Sequence, residues 1–267
     1  MNSESHSSRA REYIENLAAT GRYHFDSIEA RTALGVSPNA AKAALHRLAK
    51  QALIASPARG FYVILPPEYR SLGCLPAEQF IPALMKKEGR LYYTALLTAA
   101  QYHGAAHQRP QAFQVCVNRR RRPLACGRVR ATFLVRKRLQ DVPVQQLNTP
   151  RGTLRVSTPE ATAIDLIGYQ ERVGGLDQVA TVLSELAEQL RSERLPEAAS
   201  AAPISWAQRL GYLLERVDAP EKTVDLQQYV RTRVRESTPL LPRVPHEQSQ
   251  RDKVWKLWIN THVEPEL

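Results

Sequence analysis

The chain has 267 residues, 43% of them hydrophobic and 24% charged, the composition of a folded protein long enough for two domains. A formal net charge of +11 and a pI near 9.8 favour a polyanionic partner, although charge alone does not choose among DNA, RNA and an anionic membrane surface. No apolar run approaches the roughly 18 to 20 residues that cross a bilayer, and the start carries Glu4, Arg9, Arg11 and Glu12 in place of a leader's apolar segment; with three widely spaced cysteines (Cys74, Cys116, Cys126) lacking zinc-site spacing, this leads us to expect a cytoplasmic protein with no membrane partner.

In chain order, Tyr13, Ile14 and Leu17 recur at helical spacing and predict a first helix from about Ser8 to Thr20, ended by Gly21. Asp26 and Glu29 have the spacing of a capping box and open a second helix, which Gly35 stops. Ser37 caps a third helix with Pro38 at its first position, Pro38 to Gln51, whose inward residues are Ala41, Ala44, Leu45 and Leu48. Leu53 to Ser56 and Phe61 to Leu65 read as strands joined by the turn Pro57-Ala58-Arg59-Gly60. Helix, turn, helix and hairpin in this order predict a winged helix-turn-helix over residues 1–66. Pro66-Pro67 is read as the domain boundary.

The remainder, residues 67–267, predicts a larger mixed α/β domain, so the fold class is α+β; its topology does not follow from the pattern. Helices are expected at about Ala77 to Glu88, Tyr93 to Tyr102, Pro159 to Tyr169, Leu176 to Arg191 and Ser205 to Val217. Strands are expected at Ala112 to Val117, Val129 to Val135, Val142 to Leu147 and Thr153 to Val156. Pro196 to Pro203 reads as a surface loop. The tail after Ser237 reads as extended, with a short helix near Asp252 to Ile259.

In a winged helix the third helix enters the major groove with its N-terminal polar face. Here that face offers Ser37, Asn39, Lys42, Ala43, His46 and Arg47, with Lys50 near the end. Asn pairs bidentately with adenine, and Arg or Lys with guanine; Ser37 is expected to cap rather than to read. Arg59 at the hairpin tip is placed for a phosphate or the minor groove, and Arg22 and Arg31 for phosphates.

The charge is concentrated elsewhere: residues 66–150 hold fourteen Lys and Arg against four Asp and Glu. Arg119, Arg120, Arg121 and Arg122 form a run before Pro123, joined by Arg128, Arg130, Arg136, Lys137 and Arg138. If the strands flanking Pro123 form a hairpin, these cations gather at its tip as a second basic patch, able to bind DNA, RNA or an acidic protein, or to guard a sheet edge.

No nucleotide-binding loop, dinucleotide fingerprint or nucleophile elbow is present. His103 and His107 have the spacing of a zinc pair but lack a general-base Glu and a third ligand, so no metal, cofactor or catalytic residue is assigned. Asp165 sits inside the apolar run Ala163 to Ile167 and is expected to pair with an Arg or a backbone group. Thr158, Pro159 and Glu160 read as cap, first-turn proline and dipole carboxylate.

The segments RGFYVI, YYTALLTAAQYHG, LRVSTPEATAIDLI and WAQRLGYLLE, in this order within about residues 8–217, resemble the AbiEi family of type IV antitoxins. The third is the most specific. The resemblance implies a bacterial two-gene operon in which the N-terminal domain represses its own promoter on double-stranded DNA. It also implies that the second domain opposes a nucleotidyltransferase-like toxin without a stable complex, and it transfers no catalytic motif. Other readings are a stand-alone transcription factor with a ligand-sensing second domain, a nucleic-acid-processing enzyme, and a module that docks an acidic protein.

Overall fold

The computed structural model describes residues 2–105 and 110–265, as a mixed α+β structure with helices and three sheets. The N-terminal part runs α1 (Asn2–Ala19), β1 (His24–Asp26), α2 (Ser27–Leu34), α3 (Pro38–Lys50), β2 (Ile54–Ala58) and β3 (Phe61–Ile64). Its caps are those the residue types dictate. The Asp26 carboxylate accepts from the amides of Ile28 and Glu29 while the Glu29 side chain accepts from the Asp26 amide. Gly35 closes α2 in the left-handed conformation at φ 62°. Two details differ from expectation. His24–Asp26, too short to show a period, pairs with β3 and gives the strand order β1-β3-β2. Pro57 lies within β2 at a register shift between Ala55 and Ala58, tolerated because β2 is an edge strand, so the turn shortens to Arg59-Gly60.

The body contains α4 (Ile81–Lys87), β4 (Tyr92–Thr94), α5 (Leu96–Tyr102), β5 (Phe113–Val117), β6 (Leu124–Cys126), β7 (Val129–Val135), β8 (Val144–Thr149), β9 (Gly152–Ser157), α6 (Pro159–Gly168), α7 (Leu176–Leu186), α8 (Leu195–Ser200), α9 (Ile204–Arg216), α10 (Val224–Arg233), β10 (Thr238–Pro239), β11 (Gln250–Asp252) and β12 (Leu257–Ile259). Its main sheet has six strands in the order β6-β7-β5-β4-β9-β8. Tyr93, expected to open a helix running to Tyr102, instead forms with Tyr92 and Thr94 the strand between β5 and β9; a central sheet position suits aromatic and β-branched side chains and overrides a helical pattern. Of the stretch Pro196 to Pro203, expected as loop, residues 196–200 belong to helix α8, with Pro196 tolerated in the first turn and alanines behind it. Instead of an extended stretch and a helix, the tail forms the sheet β10-β12-β11. It is anchored by Trp255, fully buried against Gly211, where an added Cβ would stand 2.1 Å from the indole. The Gln208 side chain donates to the carbonyls of Trp255 and Lys256 at 3.0 and 2.9 Å.

Alternation along the strands distributes the core. Val115 and Val117 face a cluster with Phe80, Ile81, Leu84 and Met85, whereas Cys116 and Tyr93 face the helices α5 to α10. The same rule joins the two parts of the chain. In β3, Phe61 and Val63 enter the body cluster, while Ile64 packs with Ile14, Phe25 and Leu48 of the N-terminal part. The packing therefore continues across Pro66-Pro67, and β3 is apolar on both faces for that reason.

Candidate nucleic-acid interface

Helix α3 divides into two faces. Ala41, Ala44, Leu45 and Leu48 are buried, and Asn39, Lys42, Ala43, His46 and Lys50 are exposed with no hydrogen bond or ion pair among the described residues. Asn39, Ala43, His46 and Lys50 follow the four-three-four spacing of one helical stripe, and Lys42 lies one turn before His46. The Ser37 hydroxyl accepts from the Ala40 amide at 3.3 Å and so caps the helix. Arg47 is half-buried, with an Nε that finds no partner. Arg31 and Arg59 are exposed. Arg22 does not join this surface: its guanidinium pairs with Glu29 at 2.5 Å and lines a cleft against Gln79, Lys86 and Arg151 of the body.

The second patch is not one cluster. Strands β5 and β7 are parallel, Val117 opposite Val135, with β6 paired on the outer side of β7, so the expected hairpin about Pro123 does not form. Arg119 to Arg122 and Arg136 to Arg138 leave the same end of the sheet, and Arg128 and Arg130 lie at the other. Arg136 is only 4% exposed: its Nε donates to Asp165 at 3.0 Å, and its guanidinium lies 4.8 Å from the Trp206 ring centroid. A buried, paired guanidinium contributes no surface charge, which corrects its place in the patch. Arg121 is likewise engaged, donating to Glu88 through Nε and Nη2 and stacking 4.3 Å from the Phe133 ring centroid. Arg138 pairs with Asp141 at 2.8 Å and donates to the Ser200 carbonyl. Arg119, Arg120, Arg122, Arg128, Arg130 and Lys137 remain exposed.

Asp165 has the partner expected of a carboxylate in an apolar run, and a second in the Tyr93 hydroxyl at 2.5 Å. Burial pushes its carboxyl above the usual range, opposed by Arg136 and by the hydrogen bond from Tyr93. Burial also raises the Asp26 carboxyl, but the Glu29 amide, Lys87 and the Ile28 amide outweigh it and leave it below its ordinary value. Glu88 is low for the parallel reason: burial is outweighed by Arg121 and Arg90. Lys87 fastens the two parts of the chain by donating to the Gly60 carbonyl at 2.9 Å and pairing with Asp26 at 3.1 Å. Sequence spacing carries no signal for that bond or for Arg90, which holds the arginine run by its backbone. His103 Nε2 lies 2.8 Å from the Ser157 carbonyl, and His107 falls outside the described residues. Among the described residues no group of three His, Cys, Asp or Glu is placed to hold a metal, and no helix is long and apolar enough to cross a membrane.

Compared with known proteins, the chain carries a segment similar to an antitoxin domain. The model of the AbiEi antitoxin C-terminal domain matches residues 93–216, so this span is similar to that domain. The matched span contains the buried Asp165 and its partners Tyr93 and Arg136. The crystal structure of the RV2827C protein from Mycobacterium tuberculosis is similar at a TM-score of 0.67 and 18% identity, over 95% of this chain and 90% of that one, a likeness of fold. The crystal structure of an antigenic nucleotidyltransferase-like protein from Paracoccidioides brasiliensis aligns at a TM-score of 0.37 and 12% identity, over 57% and 90% of the two chains. No curated protein matches the chain.

Proposed function

We propose that the N-terminal part is a winged helix-turn-helix, with α2 and α3 as the helix-turn-helix and β2–β3 as the wing, and that it represses the promoter of its own operon. The observation that carries this reading is the polar face of α3, which is exposed among the described residues and presents Asn39, Lys42 and His46 along its N-terminal and middle turns. The body, containing the span similar to the antitoxin domain, acts as the type IV antitoxin, opposing a nucleotidyltransferase-like toxin in the cytoplasm without a stable complex.

The test is binding to duplex DNA from upstream of the gene. The full chain prefers this duplex to a scrambled one of the same length, and Lys42→Glu with Arg47→Glu abolishes the preference. Retention of the preference by that double variant refutes the assignment of α3. Co-expression with the neighbouring gene product tests the second half, with rescue of growth expected when the body is intact.

A further inference from the structure

We infer that Arg120 and Arg122, together with Arg59 at the hairpin turn, form a preorganised clamp for the phosphate backbone of duplex DNA flanking the stretch that α3 reads. The inference rests on the reading of α3 given above and extends its footprint onto the body.

Three observations carry it. First, hairpin and run share a surface: Pro57 and Ala58 line a cleft of about 650 Å³ with Arg120, Arg121 and Arg122, and Arg59 follows directly in the turn. Second, the charge there is lopsided. Arg90, Arg120, Arg121 and Arg122 surround one carboxylate, Glu88, which Arg90 holds at 2.7 Å and Arg121 at 2.9 Å. Those two satisfy the carboxylate; Arg120 and Arg122 are exposed and make no side-chain hydrogen bond or ion pair among the described residues. Third, the geometry is held from both sides. Lys87 ties the turn to α4 through the Gly60 carbonyl, and the next residue, Glu88, grips Arg121. Arg90 donates to the carbonyls of Arg119 and Arg120, and Arg119 returns a bond to the Gly89 carbonyl. Hairpin turn and arginine run are thus parts of one bonded frame, which holds the backbone from which Arg59 and the two uncommitted guanidinium groups project. Arginine suits this role because its planar fork pairs with phosphate bidentately and loses little freedom on doing so.

Each phosphate contact steepens the fall of log affinity with log salt by about 0.9. The experiment measures the full-length wild type and the Arg120→Gln/Arg122→Gln variant on the upstream duplex and on a scrambled duplex across a salt series. The variant is expected to lose roughly 1.8 from the slope on both duplexes, so that its affinity drop between 50 and 200 mM salt is about tenfold smaller. Its preference between the duplexes is unchanged, as is its thermal midpoint. Hydroxyl-radical footprinting is expected to show lost backbone protection on one flank of the site.

An unchanged slope and footprint in the variant, with wild-type preference intact, overturns the clamp and leaves the reading of α3 standing. Absence of preference in the wild type itself overturns that reading, and the clamp with it. Self-association of the variant with normal DNA binding assigns the arginines to protection of the edge strand β6 and also refutes the clamp. A single-stranded RNA that competes more strongly than duplex, through the same two arginines, refutes duplex as the occupant.

Discussion

Replacing Asp165 by Asn removes one charge from the centre of the body while preserving side-chain volume. Asp165 is 0% and Arg136 is 4% exposed, so the guanidinium left behind has little water to solvate it. Its Nε loses a charged acceptor at 3.0 Å, and the Tyr93 hydroxyl loses one at 2.5 Å. Removing one partner of a buried pair costs about 3–5 kcal/mol. The Trp206 face, 4.8 Å from the guanidinium, survives the change and places the expected loss toward the lower end of that range. At about 2–4 °C per kcal/mol for a chain of this size, the midpoint of thermal unfolding falls by roughly 6–16 °C. Calorimetry of D165N against wild type measures this. A second variant, Asp165→Leu with Arg136→Met, replaces the pair by apolar groups and is expected to recover most of the loss. Duplex binding, measured well below both transitions, stays at its wild-type level because the exposed α3 stripe touches neither residue. A D165N midpoint within about 2 °C of wild type would show that the pair contributes no net stability and would refute the reasoning.

Gly211→Ala inserts a methyl group where the Trp255 indole lies 2.1 Å away, and overpacking of this kind costs about 1–3 kcal/mol. Limited proteolysis is expected to cut residues 235–265 faster than in wild type, and an unaltered cleavage rate argues against Gly211 as the anchor of the tail. Asp26→Ala removes the α2 cap and the bridge to Lys87, and cap loss costs about 1 kcal/mol. The Asp26 carboxyl is lowered in the folded chain, so its contribution is complete above the unfolded carboxylate value and disappears as pH falls through the folded one. The difference in midpoint between D26A and wild type is therefore expected at neutral pH and vanishes under acid; a difference that grows on acidification refutes the sign. His24, held low by burial, acts in the same sense: wild-type stability is lost as pH falls below the ordinary imidazole value, and His24→Gln flattens that segment of the midpoint-against-pH curve.

Much of the N-terminal part was legible without coordinates because its signals are local. A capping box needs residues three apart, a left-handed stop needs a glycine, and a first-turn proline needs only its own ring; Asp26, Glu29, Gly35, Ser37 and Pro38 do what their types demand. The polar stripe of α3 follows from a period of 3.6, and the apolar run around Asp165 implied a partner for a buried charge. What the residues could not announce was which partner, since Tyr93 and Arg136 lie 72 and 29 positions away along the chain.

The same division explains the arginines. Composition counted nine cations in one stretch of chain, but burial, strand direction and ion pairing are properties of the assembled sheet. Pairing β5 with β7 in parallel sends Arg128 and Arg130 to one end and Arg119 to Arg122 to the other; packing turns Arg136 inward, and Glu88 claims Arg121. The two faces of β3 are apolar in sequence, but only the tertiary structure reveals that they serve two cores and so set the hairpin beside the arginine run. Local stereochemistry is written residue by residue and can be read that way. The electrostatic surface arises from contacts made across long separations, and only the folded chain decides which charges remain available to a partner.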